Sequence, residues 1–150
     1  MPVLAADIHG KLSVYECLVD QTSSVEVLVL PGDRFDADFE DQQRLQVAEI
    51  LQILHPSRAV VLYIMGNAGN MALEHEDELI RRLHGRRVET GDYHFVGYQY
   101  TPPFVGESFV NKDAEIRCDL GSLEPLVNAR TMPVTPAPSF ESLDRYDSVT

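Results

Sequence analysis

The stretch Val25 to Asp36, Val-Glu-Val-Leu-Val-Leu-Pro-Gly-Asp-Arg-Phe-Asp, leaves this chain the fewest options. Val25, Val27, Leu28, Val29 and Leu30 make a β-branched and aliphatic run with one polar interruption, the mark of a strand covered on both faces in a parallel sheet. Pro31 has no N–H to donate and ends the ladder, and Gly32 permits a tight turn that presents Asp33 at the carboxyl end of the strand. Ligands of open α/β sheets bind at that edge. A carboxylate held beyond so apolar a strand points to chemistry rather than to packing.

The same grammar recurs on either side. Pro2 to Ala6 is a short apolar run ending on Asp7-Ile8-His9-Gly10, and Ala59 to Met65 is another ending on Gly66-Asn67-Ala68-Gly69-Asn70. Leu12, Val14, Tyr15, Cys17 and Leu18 recur with helical spacing between the first two strands. Val47, Ile50, Leu51 and Leu54 fall at i, i+3, i+4 and i+7 between the second and third, with His55-Pro56 as the stop. Asp36, Asp38, Glu40 and Asp41 crowd the start of that helix, where negative charge suits its dipole. Further on, Glu74 to Leu83 reads as a helix with Gly85 as its C-cap. Arg87 to Thr90 and Tyr93 to Tyr100 read as a hairpin about Gly91-Asp92, which Thr101-Pro102-Pro103 breaks. Asn111 or Asp113 caps a last helix carrying Ile116, Leu120 and Leu123, and Thr131 to Thr150 reads as an irregular tail. The expected fold class is α/β, one domain over residues 1–150, with a mainly parallel sheet flanked by helices on both faces and an antiparallel hairpin.

Charge narrows the partners. With 24 acidic and 12 basic residues the net charge is -12, a field that repels phosphate backbones and anionic lipid heads, so neither nucleic acid nor membrane is an expected partner and a cation is. Cys17 and Cys118 are too few and too distant for a disulfide framework or thiolate site, and are expected as reduced thiols at helical positions. The N-terminal residues show no basic n-region and no long apolar stretch, so a cytoplasmic location is expected.

Three successive strand ends thus supply Asp7 and His9, Asp33, and Asn67. Each βαβ repeat returns the chain to the same edge of the sheet, which brings these residues to one rim. Carboxylate and amide oxygens with one imidazole suit Mn²⁺, Fe or Zn²⁺ in a mixed oxygen and nitrogen site. Blander readings stand beside this one. Asp7 and Asp33 are also common strand-end turn residues, and Gly66 to Asn70 is also a glycine loop able to cradle an anion, though without the lysine of a nucleotide P-loop. His55, His75 and His84 read as helix-end or solvated residues, and Tyr93, Phe95, Tyr98 and Tyr100 as strand packing.

In order and spacing the motifs resemble those of the calcineurin-like metallophosphoesterases, small prokaryotic type. The family's D-x-H stands as Asp7-Ile8-His9, its G-D-x-x-D as Gly32-Asp33-Arg34-Phe35-Asp36, and its G-N-H-D survives as Gly66-Asn67. Gly91 to Gly97 is similar to the inserted hairpin of the small members. The resemblance implies the N-terminal two-thirds of a four-layer sandwich and a two-metal hydrolase of phosphomonoesters or phosphodiesters. It implies that Asp7 and His9 hold one divalent ion, Asn67 the other, and that Asp33 bridges them. Val134-Thr135-Pro136-Ala137-Pro138 looks like the family's V-T-H-A-P with Pro136 at a ligand position, and the family's final G-H-x-H is absent from the sequence. These departures imply an impaired enzyme, with a sheet edge left open to pairing with a second copy. They also keep alive the alternative of a degenerate, non-catalytic relative acting through oligomerisation or partner binding; Pro133 and Pro136, where the family has a buried strand, favour it.

Overall fold

The computed structural model describes residues 1–21, 24–33, 40–66, 79–100 and 112–136. Strands β1 (Pro2–Leu4), β2 (Val27–Leu30), β3 (Val60–Tyr63) and β4 (Ile80–Arg82) form a four-stranded sheet in that order. Every neighbouring pair is parallel, with Leu4 opposite Val29, Val29 opposite Leu62 and Val61 opposite Ile80. Helices α1 (Leu12–Gln21) and α2 (Glu40–Leu54) connect the first three strands.

Alternate residues of the central strands enter two different cores, as the two-residue period of a strand requires. Leu28, Leu30, Val61 and Tyr63 pack with Tyr15 of α1 and Val47, Ile50, Leu51 and Leu54 of α2. The helical spacing read from the sequence therefore marks the buried face of α2, and Pro56 follows its end at Leu54. Ile50 is fully buried, so truncation to Ala there costs about 2–5 kcal/mol.

Val27, Val29, Leu62 and Ile64 point the other way, into a core shared with Val88, Phe95 and Val134 of a second sheet. That sheet has the order β5 (Arg87–Thr90), β6 (Tyr93–Gly97), β7 (Thr131–Val134), with β5 and β6 antiparallel about Gly91-Asp92 and β7 parallel to β6. Its far face carries Val96 and Tyr98, which pack under Ile116 and Leu123 of α3 (Asp113–Leu123). The layers run helix, sheet, sheet, helix. The expectation of helices on both faces of the parallel sheet is thereby corrected, because its second apolar face is covered by another sheet.

Three local expectations also change. Leu79, Ile80 and Leu83 were expected on one helical face, yet Ile80 enters the core beneath α1 and α2 while Leu83 enters the core between the sheets. Val61 N–H donates to Leu79 O at 2.6 Å and Leu83 N–H to Tyr63 O at 2.9 Å, so residues 79–83 extend the sheet, while residues 74–78 lie outside the described residues. Gly85, with φ of 71°, turns the chain between β4 and β5 rather than capping a helix. The stretch from Thr131 opens with β7, which tolerates Pro133 because it is an edge strand and Pro133 is exposed.

Asp113 is the first residue of α3 rather than its cap; the N-cap is Lys112, whose backbone N–H donates to Glu115 Oε2 at 3.0 Å. Asn111, the other expected cap, lies outside the described residues. Cys17 and Cys118 are exposed free thiols on α1 and α3. Among the described residues no helix is long and apolar enough to cross a membrane.

Candidate functional site

Beyond the last ladder residues of β1 the chain stays alongside β2. Ala5 N–H donates to Val29 O at 3.0 Å, Asp7 N–H to Pro31 O at 3.3 Å, and His9 N–H to Asp33 O at 3.0 Å. This alternation lays Asp7-Ile8-His9 beside Pro31-Gly32-Asp33. Ile8 is buried in the core beneath α1 and α2, which leaves Asp7 and His9 exposed on either side of it. Both adopt left-handed backbone, with φ of 51° each, before Gly10 at 68° releases the chain toward α1. Asp and His enter this region more readily than most residues, but two in one turn is a local strain of the kind that accompanies ligand sites.

The carboxylates interlock with the glycines of the next strand end. A Cβ at Gly32, which has φ of 88°, would overlap Asp7 Oδ1. A Cβ at Gly66 would overlap Asp33 Oδ1 and stand 2.6 Å from Asp33 N. Asp7 Oδ1 also accepts the Asp33 N–H at 3.1 Å. The first motif thus rests on the glycine of the second, and the second on the glycine of the third.

Three of the four sequence-derived ligands, Asp7, His9 and Asp33, therefore share the carboxyl-end rim of the parallel sheet. Asn67 and Asp36 lie outside the described residues, Asn67 immediately after Gly66. Pro136 lies two residues past the end of β7. The donors fit a divalent cation in kind, being hard oxygens and one imidazole. They fall short of a closed shell: among the described residues no group of three or more His, Cys, Asp or Glu is gathered closely enough to hold a metal ion.

Two further histidines, His94 and His84, lie away from the rim, and His75 lies outside the described residues. In the hairpin, His94 Nδ1 lies 2.7 Å from Arg87 Nη2, and Arg87 Nη2 also meets Glu89 Oε1 at 2.6 Å, so His94 belongs to the second sheet and not to the rim. His84, expected beside a helix end, instead bridges to Gly97 across the second sheet. Its Nδ1 accepts the Gln99 N–H at 3.2 Å, and its ring meets Tyr98 at 5.7 Å and Tyr100 at 5.1 Å. Burial first, and then the charge of Arg82, hold this imidazole below its usual pKa, against an opposing pull from Asp119. No local signal in the sequence joins these residues. Tyr98 and Tyr100 share a face of one segment by the period of two, but His84 and Asp119 come from elsewhere.

Compared with protein-family models, curated proteins and solved structures, the chain matches none.

Proposed function

We propose that this chain is a divalent-metal-dependent phosphoesterase of the calcineurin-like class, acting on a phosphomonoester or phosphodiester. The single observation that carries the reading is the interlocked rim, where Asp7 and His9 lie beside Asp33 at adjacent strand ends and each carboxylate occupies space that a glycine of the next motif leaves open. The helix-sheet-sheet-helix layering supports the sandwich of that class.

Two divalent ions bound here would supply a water of lowered pKa and a counter-charge for phosphate oxygens. Asp33 is the residue suited to serve both, since it stands between Asp7 on one side and Gly66, which precedes Asn67, on the other. Its backbone is tied down at both ends, the N–H by Asp7 Oδ1 and the C=O by the His9 N–H, so its carboxylate is aimed before any ligand arrives. Asp7 and His9 would hold one ion and Asn67 the other. Pro136 offers no ligand atom, so turnover is expected to be low.

The second reading, a non-catalytic relative, is favoured by Pro136, whose side chain offers no ligand atom where the resembled family has a histidine. Hydrolysis of p-nitrophenyl phosphate and its bis ester with Mn²⁺ separates the two. The enzyme reading expects a low rate that EDTA abolishes and that Asp7→Ala and Asn67→Ala each reduce. A rate indifferent to EDTA and to both substitutions would sink the metal mechanism, and saturable Mn²⁺ binding without turnover would move the protein to the second class.

A further inference from the structure

Between the second sheet and α3 lies a cavity of about 350 Å³ that none of the rim residues lines. This is the small end of the range for ligand pockets, about 300–1,000 Å³. Its walls are His84, Tyr98 and Tyr100 on one side and Asp119 and Leu123 of α3 on the other. The three rings meet at steep angles: His84 and Tyr100 at 85°, Tyr98 and Tyr100 at 62°, and His84 and Tyr98 at 50°. Such a set cannot close into a flat stack, so ring faces and edges are turned in several directions around the cluster.

Among the described residues of the wall the one formal charge is negative. Asp119 is a carboxylate whose Oδ2 accepts the Tyr98 O–H at 2.8 Å, which orients both the acid and the phenol. The tyrosine faces are the negative ends of ring quadrupoles. His84 uses Nδ1 as an acceptor for the Gln99 N–H and is held toward its neutral form, so it adds no positive charge. Arg82, whose charge acts on this imidazole, donates to Gln99 Oε1 from Nε at 3.2 Å and from Nη2 at 2.6 Å, and is not part of the wall. An anionic ligand would meet Asp119 head on, whereas a small organic cation meets a carboxylate and aromatic faces together. The net charge of -12 draws cations toward the molecule as a whole.

We infer that the pocket formed by His84, Tyr98, Tyr100 and Asp119 binds a small organic cation of the ammonium class. Recognition is by charge at Asp119 and by cation–π contact at the tyrosines, and it is independent of the rim.

Titration of the full chain with choline, and with its neutral isostere 3,3-dimethylbutan-1-ol, followed by calorimetry at 0.15 M salt, tests this. Saturable choline binding is expected, with the isostere at least tenfold weaker. Asp119→Asn keeps the shape and a hydrogen-bond acceptor for Tyr98 and should weaken choline at least tenfold, with Tyr100→Leu acting in the same direction. The thermal midpoints of both variants are measured alongside, and Asp119→Asn is the deciding variant if Tyr100→Leu unfolds. Equal affinity for the isostere, an unchanged Kd in Asp119→Asn, or no saturable choline binding by the parent chain each overturns the assignment.

Discussion

Asp7 Oδ1 accepts the backbone N–H of Asp33 at 3.1 Å, so the carboxylate ending the first strand positions the main chain of the residue ending the second. The two are 26 residues apart in sequence and adjacent at the rim. One residue therefore has two separable roles, a backbone anchor and a negative charge, and substitutions can divide them.

Asp7→Asn retains an oxygen that can accept the Asp33 N–H and a side chain that tolerates left-handed backbone. It should change unfolding free energy by less than about 0.5 kcal/mol while weakening Mn²⁺ binding. Asp7→Ala loses both the bond and the tolerance and should cost about 1–2 kcal/mol in urea denaturation. Equal stability losses in the two variants would mean that the anchor contributes nothing specific.

Asp33→Asn should lower Mn²⁺ affinity at least tenfold, about 1.4 kcal/mol, because Asp33 is the residue placed to serve two ions. Calorimetry on the parent and variant reads this directly. Identical affinities would remove Asp33 from the site.

Gly66→Ala forces a methyl group into Asp33 Oδ1 and to within 2.6 Å of Asp33 N, where backbone cannot yield. A loss of roughly 1–3 kcal/mol is expected, together with weaker Mn²⁺ binding. Gly121→Ala is the contrast, since an added Cβ there, at an exposed position of helix α3, meets nothing within 4 Å. It should stabilise the chain by about 1 kcal/mol through helix propensity. Thermal melts of the two variants should move in opposite directions.

His84 makes stability depend on pH. Burial and then Arg82 lower its folded pKa from 6.5, while Asp119 on α3 pulls the other way. The unfolded chain therefore takes up this proton at a higher pH than the folded one, so the folded state loses stability as pH falls through 6.5 and loses none above it. Protonation at Nδ1 would also set two donors against each other at the Gln99 N–H. Urea midpoints measured from about pH 7.5 to 5.5 should drop in the parent and drop less in His84→Gln. Parallel curves would show that His84 titrates alike in both states.

What the sequence determined by itself is what short-range pattern can encode. The apolar runs of β2 and β3 need cover on both faces wherever they sit, the spacing of Val47, Ile50, Leu51 and Leu54 has one solution as a helix, and Gly91-Asp92 closes a hairpin locally. That Asp7, His9 and Asp33 share one rim was legible for the same reason, since parallel strands joined by helices must end at one edge. Tertiary structure decided whatever depends on partners far away in the chain. Leu79, Ile80 and Leu83 satisfy a helical period as well as a strand, and pairing with β3 chose the strand by sending Ile80 and Leu83 into opposite cores. A run buried on both faces does not reveal whether a helix or a sheet covers it, so the second sheet behind Val29 and Leu62 could not be read from these strands themselves. The necessity of Gly66 became visible only once Asp33 lay against it, and His84, Tyr98 and Asp119 became one pocket only when α3 closed over the second sheet. Contact between residues so far apart in the chain is set by the packing of layers, which no local window contains.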